Sequence, residues 1–184
     1  MNRTKLLLIA LAGTLILGAC KRDQEPQSNN TTTTEAQAIA AQKTEDGSYV
    51  SPVVPNTNNP KVQLLIQSPY WVAEYWVNHG DNTQNAPNRG RWWKIKPDGT
   101  FECGQWEETF SYGSWAVYND GAKELIHFDA VNDALDMEFE MQAVSQLKDY
   151  MSWAGTGTYD MKRIAVKATS LLSMPTKAQF NVPE

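Results

Sequence analysis

Between Leu135 and Ala143 the chain alternates without a break: Leu135, Met137, Phe139, Met141 and Ala143 against Asp136, Glu138, Glu140 and Gln142. Successive side chains of an extended strand point to opposite faces, so this segment has one apolar face and one charged face. Wound into a helix, the same order would scatter its apolar groups around the whole circumference. A strand greasy on one side and wet on the other must be covered by more of the same chain, and the segments around it have the same character.

The stretch from Arg91 to Tyr118, RWWKIKPDGTFECGQWEETFSYGSWAVY, reads as two facing strands around Pro97-Asp98-Gly99 and a third through Gly113 and Trp115. Proline presets φ and glycine takes the left-handed position that closes a tight turn. Trp93, Ile95, Phe101 and Cys103 all fall on one face of that hairpin. Upstream, Tyr70–Val77 reads as a first strand with Trp71, Ala73 and Tyr75 on one side. Downstream, Asn119-Asp120-Gly121 turns the chain into Lys123–Asp129, where Ile126 and Phe128 inward leave His127 wet. Leu147–Trp153 supplies Met151 and Trp153. After the glycines Gly155 and Gly157, Tyr159–Ala168 forms the last strand, with a bulge near Lys162-Arg163 to reconcile its two halves.

The sum is eight short strands between Val62 and Ala168, with no helical period among them. Regularly spaced antiparallel strands with one apolar face predict an all-β domain, closed as an up-and-down barrel or packed as a sandwich. An eight-stranded barrel is either filled by its side chains or holds one small ligand. Thr169–Glu184 keeps a few apolar anchors and forms a tail.

The first nineteen residues place Arg3 and Lys5 ahead of the apolar run Leu6–Leu17, the form of a secretory signal. The run is too short to span a membrane. Its end, Leu17-Gly18-Ala19-Cys20, resembles the bacterial lipoprotein signal, which implies that Cys20 becomes an acylated N-terminus carrying chains such as palmitate. Several chains hold a protein stably to a bilayer. Residues 20–61 are rich in Gln, Asn, Thr, Ser and Pro, including Thr31–Thr34, and read as a disordered tether. Loss of the signal removes two positive charges and moves the net charge from −5 to −7, which argues against nucleic acid as a partner. With Cys20 committed to lipid, Cys103 has no cysteine to pair with and reads as a small buried hydrophobe.

Tyr70-Trp71, Lys96-Pro97-Asp98-Gly99-Thr100-Phe101, Gly113-Ser114-Trp115 and Tyr150-Met151-Ser152-Trp153 recur in this order in one kind of protein. Over roughly Leu64 to Ala168 the domain resembles the lipocalin-like lipoproteins of Bacteroidetes-type bacteria, calycin-like barrels attached by an N-terminal lipid. The resemblance implies an eight-stranded lipocalin-like barrel at the cell envelope, on the outer membrane.

Trp71, Trp93, Phe101, Trp115, Phe139 and Trp153 fall on inward faces, where they either fill the core or line a cavity for a small hydrophobic or aromatic ligand. Trp76, Trp92 and Trp106 have the opposite parity, and exposed they would offer a surface to an envelope protein or a glycan. Asp136, Glu138 and Glu140 read as a solvated barrel exterior. His79, Asp81 and His127 lack the spacing of a metal site. The chain has no glycine-rich phosphate loop, no Gly-x-Ser-x-Gly and no cysteine and histidine arranged as nucleophile and base, so neither an enzyme nor a cofactor is expected.

Overall fold

The computed structural model describes residues 53–183. The signal, Cys20 and all but the last part of the tether lie outside the described residues. Eight antiparallel strands close into a barrel in which every strand pairs with its sequence neighbours and the last returns to the first. They are β1 (Tyr70–Asn78), β2 (Arg91–Ile95), β3 (Thr100–Gln105), β4 (Glu108–Asp120), β5 (Lys123–Ala130), β6 (Met137–Val144), β7 (Tyr150–Gly155) and β8 (Ile164–Leu171). Closure leaves no exposed sheet edge. The Pro97-Asp98-Gly99 turn forms as its chemistry requires, with Gly99 at φ 86° and the Asp98 carboxylate accepting from the Thr100 amide at 2.9 Å.

Two helices interrupt the all-strand expectation. Helix α1 (Pro60–Gln67) precedes β1 and sets Val62 and Leu65 into the core, while the four-residue α2 (Asn85–Asn88) lies between β1 and β2. The signal for α1 was local: Asn59 caps the amides of Lys61 and Val62, and Pro60 occupies the first turn, where its missing N–H costs nothing. Trp71 donates its indole N–H to the Leu65 carbonyl at 2.9 Å, and Lys61 reaches the Met141 carbonyl at 2.6 Å. Those bonds seat α1 across the end of the barrel at which β1 begins. The opposite end, where β1 finishes and β2 begins, is the mouth.

The inward register follows the alternation except where a bulge resets it. Between Ala73 and Tyr75 the pairing of β1 with β8 slips by one residue. Trp71 and Ala73 therefore point inward as expected, but Tyr75 turns out to solvent and Trp76 turns in, 5% exposed. The inward assignment of Ile126 and Phe128 holds, whereas His127 is half-covered and not wet. The last strand begins only at Ile164, because Thr158–Asp160 winds into a 3-10 turn with Tyr159 and Asp160 at positive φ.

Candidate functional site

The six aromatic residues expected to face inward are all buried and belong to one cluster. Trp153 joins most of them: its ring lies 5.3 Å from Trp93, 5.6 Å from Phe139 and 6.2 Å from Trp71. Phe128 bridges to the other side, 5.8 Å from Trp93 and 5.0 Å from Phe101. Aromatic pairs at these spacings add about 0.5–1.5 kcal/mol each beyond the area they bury.

The indole N–H groups in this interior divide into two sets. Trp71 and Trp115 donate to the carbonyls of Leu65 and Lys96, each at 2.9 Å, at the end covered by α1. Trp76, Trp93 and Trp153 have buried N–H groups with no acceptor. An indole can only donate, and all three of these rings pack on Phe139. Of these three, Trp76 lines the mouth.

At the mouth is a cleft of about 400 Å³ lined by Trp76, Arg91, Met137, Met161 and Ile164, with Asp81, Asp136 and Tyr159 on its rim. Arg91 lies two residues before Trp93 on β2 and shares its inward parity. Its guanidinium carbon sits 5.5 Å from the Trp76 ring centre, and Nη1 lies 3.7 Å from the Met137 sulfur. Burial pushes its pKa down. Behind it, burial pushes the Cys103 thiol up to about 11 against the opposing pull of Arg91, so Cys103 is a neutral, inert thiol, as its buried position predicted.

On the outer wall Glu138 is only 4% exposed, not the solvated residue its alternation implied. The loop after β7 folds over it. Thr156 and Thr158 donate their hydroxyls to Oε1 at 2.6 and 2.7 Å, Tyr118 donates to Oε2, and His127 Nδ1 lies 3.5 Å from Oε2. Burial pushes this carboxyl up, but the hydroxyls of Thr156, Tyr118 and Thr158 and the His127 ring outweigh it and hold it below its ordinary value. Residues Thr156 and Thr158 grip Glu138, while Tyr159 and Met161 of the same loop form one side of the mouth. Glu138 thereby positions a wall of the cleft. The pair of threonines two residues apart beside Gly155 and Gly157 was the signal in the sequence.

The tryptophans assigned to an outer surface are not there. Trp76 is inward after the bulge. Trp92 does face outward, but it is buried under Tyr70, whose ring meets it edge-on at 5.4 Å, and it donates to the Trp106 carbonyl at 2.8 Å. Trp106 packs against Phe180 of the C-terminal tail at 5.6 Å. Among the exposed outer aromatics, Tyr75 and Tyr150 flank Lys167, whose ammonium lies 5.7 and 4.9 Å from their ring centres.

Comparison with protein-family profiles, with curated proteins and with solved structures finds no match. Fold and clefts therefore define the class: an eight-stranded, closed antiparallel barrel with an aromatic interior, plugged at one end by a helix and recessed at the other. Among the described residues no helix is long and apolar enough to cross a membrane.

Proposed function

We propose that the chain is a lipocalin-like lipoprotein of the bacterial cell envelope, anchored through acylated Cys20, that binds a small hydrophobic or aromatic ligand without catalysis. The mouth of the barrel receives the ligand. The observation that carries this reading is the cleft beside Trp76, where an apolar wall of Met137, Met161 and Ile164 faces Asn78, Gln84, Asn88 and Arg91 and adjoins the Trp76 indole N–H, which has no acceptor among the described residues. The mouths of barrels are a common place for small-molecule sites, and a wall of apolar side chains beside a few polar groups fixes the orientation of what enters. The six inward aromatics then serve as the floor against which the ligand rests.

The test is tryptophan emission and melting temperature of the protein titrated with fractionated envelope lipids and pigments. A ligand at Trp76 shifts the emission and raises Tm by mass action. The variant Ile164→Trp, which fills the mouth, abolishes both responses. Fractions that move neither signal remove the reading.

An outer-surface partner, protein or glycan, is the second reading, and exposed Tyr75 and Tyr150 around Lys167 favour it. Cross-linking that captures the same envelope partner in the native protein and in Tyr75→Ala/Tyr150→Ala would rule that patch out.

A further inference from the structure

The inner wall of the mouth offers donors and positive charge, and its neighbours use little of either. Trp76 Nε1 is buried and has no acceptor. Arg91, half-covered beside it, makes no ion pair with any carboxylate among the described residues, and its side-chain contacts are the Trp76 ring and the Met137 sulfur. A partly desolvated guanidinium without an anion is costly to hold, and five N–H groups in a planar fork match a carboxylate in shape.

We propose that the ligand taken at the mouth is a small organic monocarboxylate with an apolar body, its carboxylate seated between the Arg91 guanidinium and the Trp76 indole N–H. This rests on the reading of the mouth as the binding site and adds the charge of what enters it. The apolar body lies along Met137, Met161 and Ile164, which line the same cleft.

The rim fixes the charge number. Asp136 and Asp81 also line the cleft; Asp136 accepts from the Ala130 amide at 2.8 Å, and Asp81 from the Thr83 amide at 3.1 Å. A dianion such as a phosphate monoester would bring two charges to one guanidinium in a cleft that also carries Asp81 and Asp136, and a neutral ligand would leave the guanidinium uncompensated. A single negative charge paired with Arg91 satisfies the site. Among the described residues Arg91 is the only Lys or Arg side chain on the cleft wall.

The experiment uses the full chain and three probes with one body: 3-phenylpropanoate, the neutral 3-phenylpropanol and phenyl phosphate, titrated by calorimetry. The acid binds at least tenfold tighter than the alcohol and than the phosphate. Arg91→Met lowers affinity for the acid at least tenfold and leaves the alcohol within about threefold. Trp76→Phe weakens the acid severalfold and not the alcohol, a second arm that stands even where Arg91→Met folds poorly. Equal affinities for acid and alcohol, a phosphate that binds best, or an acid preference that survives both variants overturns the carboxylate and leaves the mouth site standing. Absence of binding by all three probes overturns both.

Discussion

The guanidinium carbon of Arg91 lies 5.5 Å from the ring centre of Trp76, a cation on the cleft wall set against an indole whose N–H has no acceptor among the described residues. Trp76 faces inward here because of the bulge between Ala73 and Tyr75, which sets it beside the first residue of β2. A single slipped register thus converts a strand end into a donor-lined recess.

Arg91 is expected to cost stability in the empty protein. A cation–π contact contributes about 0.5–1 kcal/mol, whereas a desolvated, unpaired charge carries a penalty of several kcal/mol. Arg91→Met keeps the volume and removes the charge, so it should raise stability by about 1 kcal/mol, a few degrees in Tm. Thermal melts of both proteins without added ligand decide this. A loss of more than about 2 kcal/mol would show Arg91 to be structural.

The indole N–H groups predict a split among otherwise identical substitutions. Trp→Phe shrinks a buried ring at each of Trp71, Trp115, Trp93 and Trp153. At Trp71 and Trp115 it also breaks a hydrogen bond to a carbonyl, while at Trp93 and Trp153 it removes a donor that had no partner. The first pair should therefore cost about 1–2 kcal/mol more than the second, read from urea midpoints at constant m. Equal losses would mean that the core donors find acceptors in solution.

The barrel was legible because β6 alternates cleanly, the β2–β3 hairpin puts Trp93, Ile95, Phe101 and Cys103 on one face, and the turns before β3 and β5 carry proline, aspartate and glycine or asparagine, aspartate and glycine at the required places. What escaped notice depends on contacts distant in sequence. Parity put Trp92 on the outer face correctly, yet exposure did not follow. Gly104 opposite it leaves room for the ring, since a Cβ there would lie 2.5 Å from Trp92 and 2.0 Å from the Glu108 carbonyl. The bulge in β1 has no local marker, so Tyr75 and Trp76 were exchanged. Helix α1 did have a marker, Asn59-Pro60, outweighed by the bulky run Leu64–Ile66 leading into a strand. At the site, the aromatic floor was legible from parity, while Arg91 and Glu138 became visible only once the loop after β7 and the start of β2 were brought to one end of the barrel.

The anchor is tested separately from the barrel. Cys20→Ser removes the thiol that would carry acyl chains, and each buried methylene contributes about 0.8 kcal/mol to membrane attachment. The native protein should partition with the membrane fraction and the variant with the soluble fraction, both with the same melting temperature in detergent. A variant that still pellets with membranes would place the attachment elsewhere.

Acid should loosen the mouth through Glu138. Its carboxyl titrates below its ordinary value of 4.5 in the folded chain, so the stability it contributes is fully present above pH 4.5 and is lost as pH falls through the lower folded value. Protonation weakens the charge-assisted bonds from Thr156, Thr158 and Tyr118 and frees the segment that carries Tyr159 and Met161. Glu138→Gln should cost about 1–3 kcal/mol near neutral pH, since charge-assisted bonds to a buried carboxylate become neutral ones. It should also remove part of the stability loss below pH 4.5; the rest stays, because burial raises Glu74 and Glu124 but is outweighed by hydrogen bonds from Lys167 and Thr169 at Glu74 and from Asn59 and Lys61 at Glu124, which hold both below the same ordinary value. Tm followed from pH 7 to pH 3, with amide exchange of residues 156–163, separates these contributions. Equal acid sensitivity in the variant and the native protein would show that the grip on this loop does not depend on the charge of Glu138.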